Sequence, residues 1–324
     1  MSLLIIDRQT VRALLPMKAC IALMGEAMMA LSSGATQQRL RQIIPLAGGS
    51  AFGIMPGATA ETFGAKLISV FPGNFAKGLQ SHQGVVVVFD PASGAPVAVL
   101  HAGEITVIRT AAASAAATEV LATPGAHRLA ILGYGEQALA HARAMMLVRP
   151  IAEIRLWGRS GDRARDLARR LEAELARPVI VSPTARHAVA GADIVCAVTG
   201  AARPILLGEW LADGVHINLV GSSGPGAREV DDALVVRARI FADHRPSVLA
   251  QGAEVLHAIQ AGLIDESHVL GEIGEVMSGA KPGRRHDTDV TVYKSLGTVV
   301  QDLASGWLVY RAALAEGLGV TVEF

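Results

Sequence analysis

The spacing of apolar positions divides the chain into regions of different period. In residues 16–33, "PMKACIALMGEAMMALSS", apolar residues recur at helical spacing and the run stops at Gly34, which predicts one helix. Short apolar runs bounded by Gly, Pro and polar residues follow: "RQIIPL", "AFGIMP", "KLISVF", "GVVVVFD" and, beyond the turn "PASGAP", "VAVLHA". Their lengths and turn signals predict a meander of antiparallel strands in an α+β domain. One stretch stands apart: "GAKLISVFPGN" places Lys66 at the head of an apolar strand with little exposure on either face. A strand-end lysine ordinarily lays its stem on apolar surface and keeps its ammonium in water, so its neighbours must show whether this one has another use.

The middle of the chain alternates strand and helix patterns. "RLAILG", "EIRLWG" and "PVIVS" read as strands, separated by the helical runs "EQALAHARAMMLV" and "GDRARDLARRLEAELA". "AVAGADIVCAVT", "HINLVG" and "ARIFAD" supply three more strands. This alternation predicts a doubly wound parallel sheet. From Thr298 the tail "TVVQDLASGWLVYRAALAEGLG" reads as one long helix, able to pack back on the first domain. The expected organisation is α/β: an α+β domain of residues 1–118 and 298–324, and a Rossmann domain of residues 119–297.

Composition narrows the classes of function. Acidic and basic residues balance at 29 each, with no basic block, which argues against nucleic acid as a partner. Only Cys20 and Cys196 occur, in neither a disulfide framework nor a metal spacing, which fits a reducing cytoplasm. No HExxH-like histidine cluster points to a metal. The opening "MSLLIIDRQTVRALL" lacks a basic n-region, and Asp7 and Arg8 interrupt its apolar run, so it is not expected to be a signal peptide. The nearest approach to a membrane span, "TAAASAAATEVLA", is alanine-rich and broken by Glu119, and reads as a packed helix.

"LAILGYGEQALAHA" places Gly133, Gly135 and Ala138 in a GxGxxA pattern between a strand and a helix. Gly133 permits the tight turn, Gly135 lets backbone approach a pyrophosphate, and Ala138 allows close helix–strand packing, with the helix N-terminus offered to phosphates. The end of the next strand ordinarily separates NAD from NADP. Here it reads "LWGRSGDRA", with Arg159 and Ser160 where an acid would hold a ribose hydroxyl. An arginine there can pair with a 2′-phosphate, which favours NADP(H). NAD(H) stays possible, since Asp162 is nearby or Arg159 is simply solvated.

The first domain supplies few polar groups for a substrate: Arg41, Lys66, Ser81, His82, Arg109 and Thr110. Two arginines and a lysine beside apolar strands would form a cationic pocket for a carboxylate. Singly, each is more often a structural or surface charge.

Together these stretches resemble the ornithine cyclodeaminase/mu-crystallin family. The resemblance rests on "MPG", "GAKLISVFPGN", "SHQGVVVVFDPASGAPVAVLHAGEITVIRTAAASAAAT", "ILGYGEQA", "ADIVCAVTGAARPIL", "GVHINLVGSSGPGAREVD" and "TVYKSLGTVVQDLA", and spans nearly the whole chain. It implies a Rossmann domain joined to a substrate-binding domain that dimerises through its sheet. It further implies that Arg41, with Arg39 as a less well aligned rival, binds the substrate carboxylate. Lys66 would act in substrate binding and proton transfer, and Arg109 would serve both substrate and cofactor phosphate. Ser81, Ser295 and Gly297 would lie near the nicotinamide, and Glu136 and Gln137 at the pyrophosphate turn. Thr110, Thr199, Val220 and Ser222 would complete the cofactor set.

The chain departs from the cyclodeaminases of that family at two acids. A Glu two residues before the "MP" dipeptide is replaced by Gly53, and an Asp after "NxVG" by Ser223. Cyclising ornithine requires deprotonating a second amine, a task for a carboxylate base that glycine and serine cannot perform. The expectation is therefore an NAD(P)H-dependent reductase of a cyclic imino acid, Δ1-pyrroline-2-carboxylate or Δ1-piperideine-2-carboxylate, acting as a homodimer. Ornithine cyclodeaminase, an amino-acid dehydrogenase such as one for alanine, and a non-catalytic NADPH-dependent binder are the alternatives.

Overall fold

In the computed structural model, residues 2–222, 224 and 226–323 are described, the side chains of 75 and 76 excepted. Contacts divide the chain into one unit of residues 1–109 and 298–324 and a second of residues 110–297.

The first unit contains β1 (Ser2–Ile6), α1 (Arg8–Leu14), α2 (Met17–Ser32), β2 (Gln37–Gln38), β3 (Gln42–Pro45), β4 (Ala51–Ala58), β5 (Phe63–Val70), β6 (His82–Phe89) and β7 (Pro96–His101). It then takes the first turns of α3 (Ala102–Leu121). The division thus falls after residue 109, within the continuous helix α3, and again before residue 298. The sheet runs β16-β1-β7-β6-β5-β4-β2, with β3 also on β4, where β16 (Val320–Glu323) is the last strand of the chain. Strands β4 to β7 form the expected antiparallel meander. The outer strands differ from expectation. The apolar opening pairs in parallel with β7 as β1, and the tail is not helical throughout. The last helix ends at Gly317, whose left-handed φ of 66° reverses the chain so that β16 can pair with β1.

The second unit holds β8 (Arg128–Leu132), α4 (Glu136–Val148), β9 (Glu153–Trp157), α5 (Gly161–Leu175), β10 (Val179–Val181), α6 (Ala185–Val189), β11 (Ile194–Ala197) and β12 (His216–Leu219). It continues with α7 (Asp232–Arg237), β13 (Arg239–Ala242), α8 (Arg245–Gln251), α9 (Ala253–Gln260), β14 (Val269–Glu272), α10 (Ile273–Met277) and β15 (Thr291–Lys294). All strands are parallel, in the order β10-β9-β8-β11-β12-β15-β13-β14, which is the doubly wound arrangement. Six of these strands match the sequence pattern. β14 and β15 do not stand out in the sequence, since each carries a charged end, Glu272 and Lys294. The C-terminal carbonyls of α3 are satisfied by two arginines. Arg149 donates to Thr118, Glu119, Ala122 and Thr123, and Arg284 to Leu121.

Returning to the first unit, α11 (Val299–Glu316) lies on the inner face of its sheet and also packs on α2. Glycines make this approach possible. A Cβ on Gly57 would stand 2.5 Å from Val299, and one on Gly306 would stand 3.3 Å from Val86. Among the described residues no single helix is long and apolar enough to cross a membrane. Only α1 and α2 taken together reach that composition, across an 82° bend.

Candidate functional site

Lys66 sits in the middle of β5, opposite Met55 on β4 and Val86 on β6. Both neighbours are buried, so alternation points the lysine inward, beneath α11, where it is 2% exposed. Its ammonium donates to Thr106 Oγ1 at 2.7 Å and lies 3.2 and 3.3 Å from the two carboxylate oxygens of Asp302. Asp302 also accepts Arg109 Nε at 3.0 Å, while Arg109 Nη1 donates to Gln301 Oε1 at 3.0 Å. Helical spacing explains the grouping. Thr106 and Arg109 are one turn apart on α3, and Gln301 and Asp302 adjoin on α11.

The cluster holds more positive than negative charge. Burial pulls the Lys66 ammonium down to about 8; Asp302 opposes that pull, and the positive charges of Arg109 and Arg41 add to it. Burial alone would raise Asp302, but Arg109 and Lys66 outweigh it and hold the carboxyl below its usual range. Arg41 is half-buried just ahead of β3, where its charge reaches Lys66, whereas Arg39 is exposed. The structure therefore brings Lys66 and Arg109 into one bonded cluster and places the charge of Arg41 beside it. It leaves Ser81 apart from that cluster, half-buried and sharing a hydrogen bond with the exposed His82.

At Gly53, where the cyclodeaminase resemblance would put a carboxylate, the space is apolar. An added Cβ would meet Ile43 at 3.0 Å and Ile68 at 3.2 Å. Ser223, the other position of that comparison, lies outside the described residues.

In the second unit the glycine turn has the geometry that a dinucleotide needs. Gly133 has φ 126°, and a Cβ there would stand 2.8 Å from the carbonyl oxygen of Val198, so glycine is required. Gly135 is the N-cap of α4, without a side-chain cap, and nothing lies within 4 Å of where its Cβ would be. The helix start is thus open to a phosphate. Glu136 occupies the first helical position with its carboxylate exposed, so what it can offer a pyrophosphate is backbone N–H. The carbonyl of Gln137 accepts from Nδ1 of the buried His141, whose Nε2 is bonded to Ser114 at 2.9 Å. Burial pushes His141 down to about 4, so it is a neutral brace behind the turn.

At the end of β9 Arg159 is exposed and makes no ion pair among the described residues, and the side chain of Ser160 does not cap α5. Asp162 is engaged by Arg165 at 2.5 Å. At the other strand ends, Val220 bonds back to Ala197. Ser295 Oγ is buried with no hydrogen-bond partner among the described residues. Gly297, with φ 83°, has its N–H held by Asp243 at 2.6 Å. The open turn, the unengaged Arg159 and the unpaired Ser295 hydroxyl fit a nicotinamide dinucleotide.

The hydroxyls of Thr199 and Ser222 are engaged by buried groups of this unit. Glu229 accepts both the N–H and the hydroxyl of Thr199 at 2.7 Å. The Ser222 hydroxyl donates to Glu254 and accepts from Lys294 at 2.6 Å. A polar hydroxyl beside a strand end does not reveal its protein partner in sequence; the acids that accept these two, Glu229 and Glu254, lie 30 and 32 residues away in the chain. Thr110 is buried within α3.

Sequence reasoning missed Asp302 and Gln301. Their signal was present: "VVQDLA" sets an acid and an amide inside an otherwise apolar helix, and both are fully buried. Lys294 shows why such signals need a structure. Like Lys66 it belongs to an apolar strand and is fully buried, yet its ammonium is shared by Glu254 at 2.9 Å and by Ser222, and it serves as a brace.

The chain therefore combines a Rossmann-type dinucleotide unit with an α+β unit that carries a buried cationic cluster suited to a small carboxylate. Comparison with known proteins defines it further. A family model described as the ornithine cyclodeaminase/mu-crystallin family matches residues 2–317, and the chain belongs to that family. It is 38% identical over 280 residues to the ketimine reductase mu-crystallin of Mus musculus, covering 86% of this chain and 85% of that one. The structure of Thermococcus litoralis Δ1-pyrroline-2-carboxylate reductase, in complex with NADH and L-proline, superposes with a TM-score of 0.96 at 31% identity, covering 98% of this chain and all of that one. An archaeal alanine dehydrogenase dimer with bound NAD superposes with a TM-score of 0.95 at 28% identity over the full length of both.

Proposed function

We propose that the protein is an NAD(P)H-dependent reductase of a cyclic imino acid, forming L-proline from Δ1-pyrroline-2-carboxylate or L-pipecolate from Δ1-piperideine-2-carboxylate. The observation that carries this reading is the buried Lys66 beside Arg109, Arg41 and Asp302. When bound, the cofactor supplies a hydride to carbon 2. Arg41 and Arg109 hold the substrate carboxylate, with Arg109 fixed in direction by Gln301 and Asp302. Lys66 keeps a proton on the imine nitrogen, because a protonated C=N accepts hydride far better than a neutral one. An ammonium brought down to about 8 gives up and regains its proton near neutrality, which suits that role.

Apolar Ile43 and Ile68 at the Gly53 position support reduction of a preformed ring over cyclisation of a diamino acid, since no carboxylate stands there to deprotonate a second amine. Alanine dehydrogenase activity is the second reading, supported by the superposition on the archaeal enzyme.

The same proposal includes NADP(H), supported by the unengaged Arg159 and Ser160 at the end of β9 and by the pairing of Asp162 with Arg165. It also includes a homodimer, supported by the dimeric neighbour and by β3, which leaves Ile43 and Ile44 about half exposed at 47% and 53%. A reducing cytoplasm suits the two free, buried cysteines.

The test is isotopic. With 4-deuterated NADPH and the imine, deuterium should appear at carbon 2 of the amino acid. Absence of transfer for both ring sizes, with alanine formed from pyruvate and ammonia, would favour the second reading.

A further inference from the structure

One carboxylate serves two of the cations on which the proposed reaction depends. Asp302 is completely buried, contacts Lys66 with both oxygens at 3.2 and 3.3 Å, and accepts Arg109 Nε at 3.0 Å. Among the described residues, the charges that act on it are those of Arg109 and Lys66. The charged and titratable groups around Lys66 are Asp302 on α11, Arg109 on α3 and Arg41 ahead of β3. Cys20 on α2 faces Arg109 and Ser305, and burial pushes its thiol up to about 12, so it stays neutral. Removing Asp302 would take from Lys66 and Arg109, both buried, the carboxylate that each of them contacts.

Both carboxylate oxygens of Asp302 are turned to this chain's own cations, Lys66 and Arg109. Packing alone does not explain it, since an apolar residue would fill that place on α11 without the desolvation that a buried carboxylate costs. Gln301 beside it adds direction: its carbonyl takes Arg109 Nη1, leaving the inner edge of the guanidinium to Asp302. The amide nitrogen of Gln301 is buried without a partner among the described residues.

We propose that Asp302 is a positioning residue that keeps Lys66 charged and Arg109 turned for catalysis, with Gln301 as its accessory. This rests on the reading of Lys66 as the proton donor. Asp302 acts through the lysine: it favours the ammonium form that must be present when hydride arrives, and it does so without touching the reacting atoms. Loss of its charge should therefore change when Lys66 is protonated more than whether substrate binds. The carboxylate subsite, left more positive, should bind substrate as well or better.

The experiment uses Asp302→Asn, which preserves shape and removes the charge. The chain's few lysines, Lys18, Lys66, Lys77, Lys281 and Lys294, make 13C-lysine labelling practical, with the Lys66 Cε signal assigned by its loss in Lys66→Met. In the wild-type protein the titration midpoint of Lys66 is expected near 8. In Asp302→Asn it should fall by at least one pH unit, and the fall of kcat at high pH should move down with it, at unchanged or lower KM. NADPH binding, followed by fluorescence, checks that the variant is folded. If it does not fold, Gln301→Glu carries the test in the opposite direction: one added negative charge beside Arg109 should move the Lys66 midpoint upward. An unmoved midpoint in the folded variant overturns the proposal. A moved midpoint in a protein that reduces no imine leaves the role of Asp302 standing and removes the functional reading instead.

Discussion

Replacing Lys66 with methionine should cost activity and gain stability, and the size of the gain follows from the site. The ammonium has a pKa of about 8 in the folded protein against 10.5 ordinarily. At neutral pH the folded state thus loses about 3 kcal/mol by keeping that proton, at 1.36 kcal/mol per pH unit. A folded-state pKa below the unfolded one means that the unfolded chain holds more protons between about pH 8 and 10.5. Stability therefore rises with pH through that window, and the full cost is present below it.

Methionine fills nearly the same space without charge. Breaking a buried ion pair ordinarily costs about 3–5 kcal/mol because the survivor is left unpaired. Asp302 is not, since Arg109 still donates to it at 3.0 Å. The hydrogen bond from Lys66 to Thr106 is lost, which offsets about 1 kcal/mol. Lys66→Met should be more stable than the wild type by about 1–2 kcal/mol at pH 7, with that advantage shrinking as pH approaches 10.5. The assay is urea unfolding of both proteins at pH 7 and pH 10, read as a shifted midpoint at constant slope. In parallel, kcat/KM for imine reduction should fall by about 100-fold to 10,000-fold, the range for losing a general acid. A variant that is destabilised at pH 7, or that turns over like the wild type, would show that Lys66 is an ordinary structural cation.

The cofactor unit yields two further predictions. Arg159→Ala should raise KM for NADPH by at least about tenfold, the worth of one charge-assisted phosphate contact, with little change for NADH; equal effects on both cofactors would refute the phosphate assignment. Gly135→Ala should leave thermal stability nearly unchanged, because nothing lies within 4 Å of the added carbon, yet weaken cofactor binding by occupying the approach of the pyrophosphate. Gly133→Ala should instead lower the melting temperature as well, because it forces a side chain into φ 126° and against the Val198 carbonyl. Equal melting temperatures for the two variants would refute this contrast.

What could be read in the sequence was set by locality. The meander of β4 to β7 and the strand–turn–helix around Gly133 are each encoded by consecutive residues, so periodicity and turn chemistry reach them. β1, β14, β15 and β16 are each defined by the strand they join, so local pattern says little about them. The same limit applies to the site. Lys66 and Arg109 stood out as cations beside apolar runs, but their common partner, Asp302, is 193 residues beyond Arg109. Lys66 and Lys294 look alike in sequence, and only their acceptors separate a group in the cationic cluster from a brace. The acids that accept the hydroxyls of Thr199 and Ser222 are hidden from the sequence for the same reason.

The most direct test of the central claim is steady-state consumption of NADPH with Δ1-pyrroline-2-carboxylate, alongside ammonia release from ornithine. The account predicts rapid NADPH consumption with stoichiometric L-proline and no ammonia from ornithine. Ammonia release from ornithine with no net use of the reduced cofactor would contradict it, and would mean that a base other than one at Gly53 does the work of a cyclodeaminase.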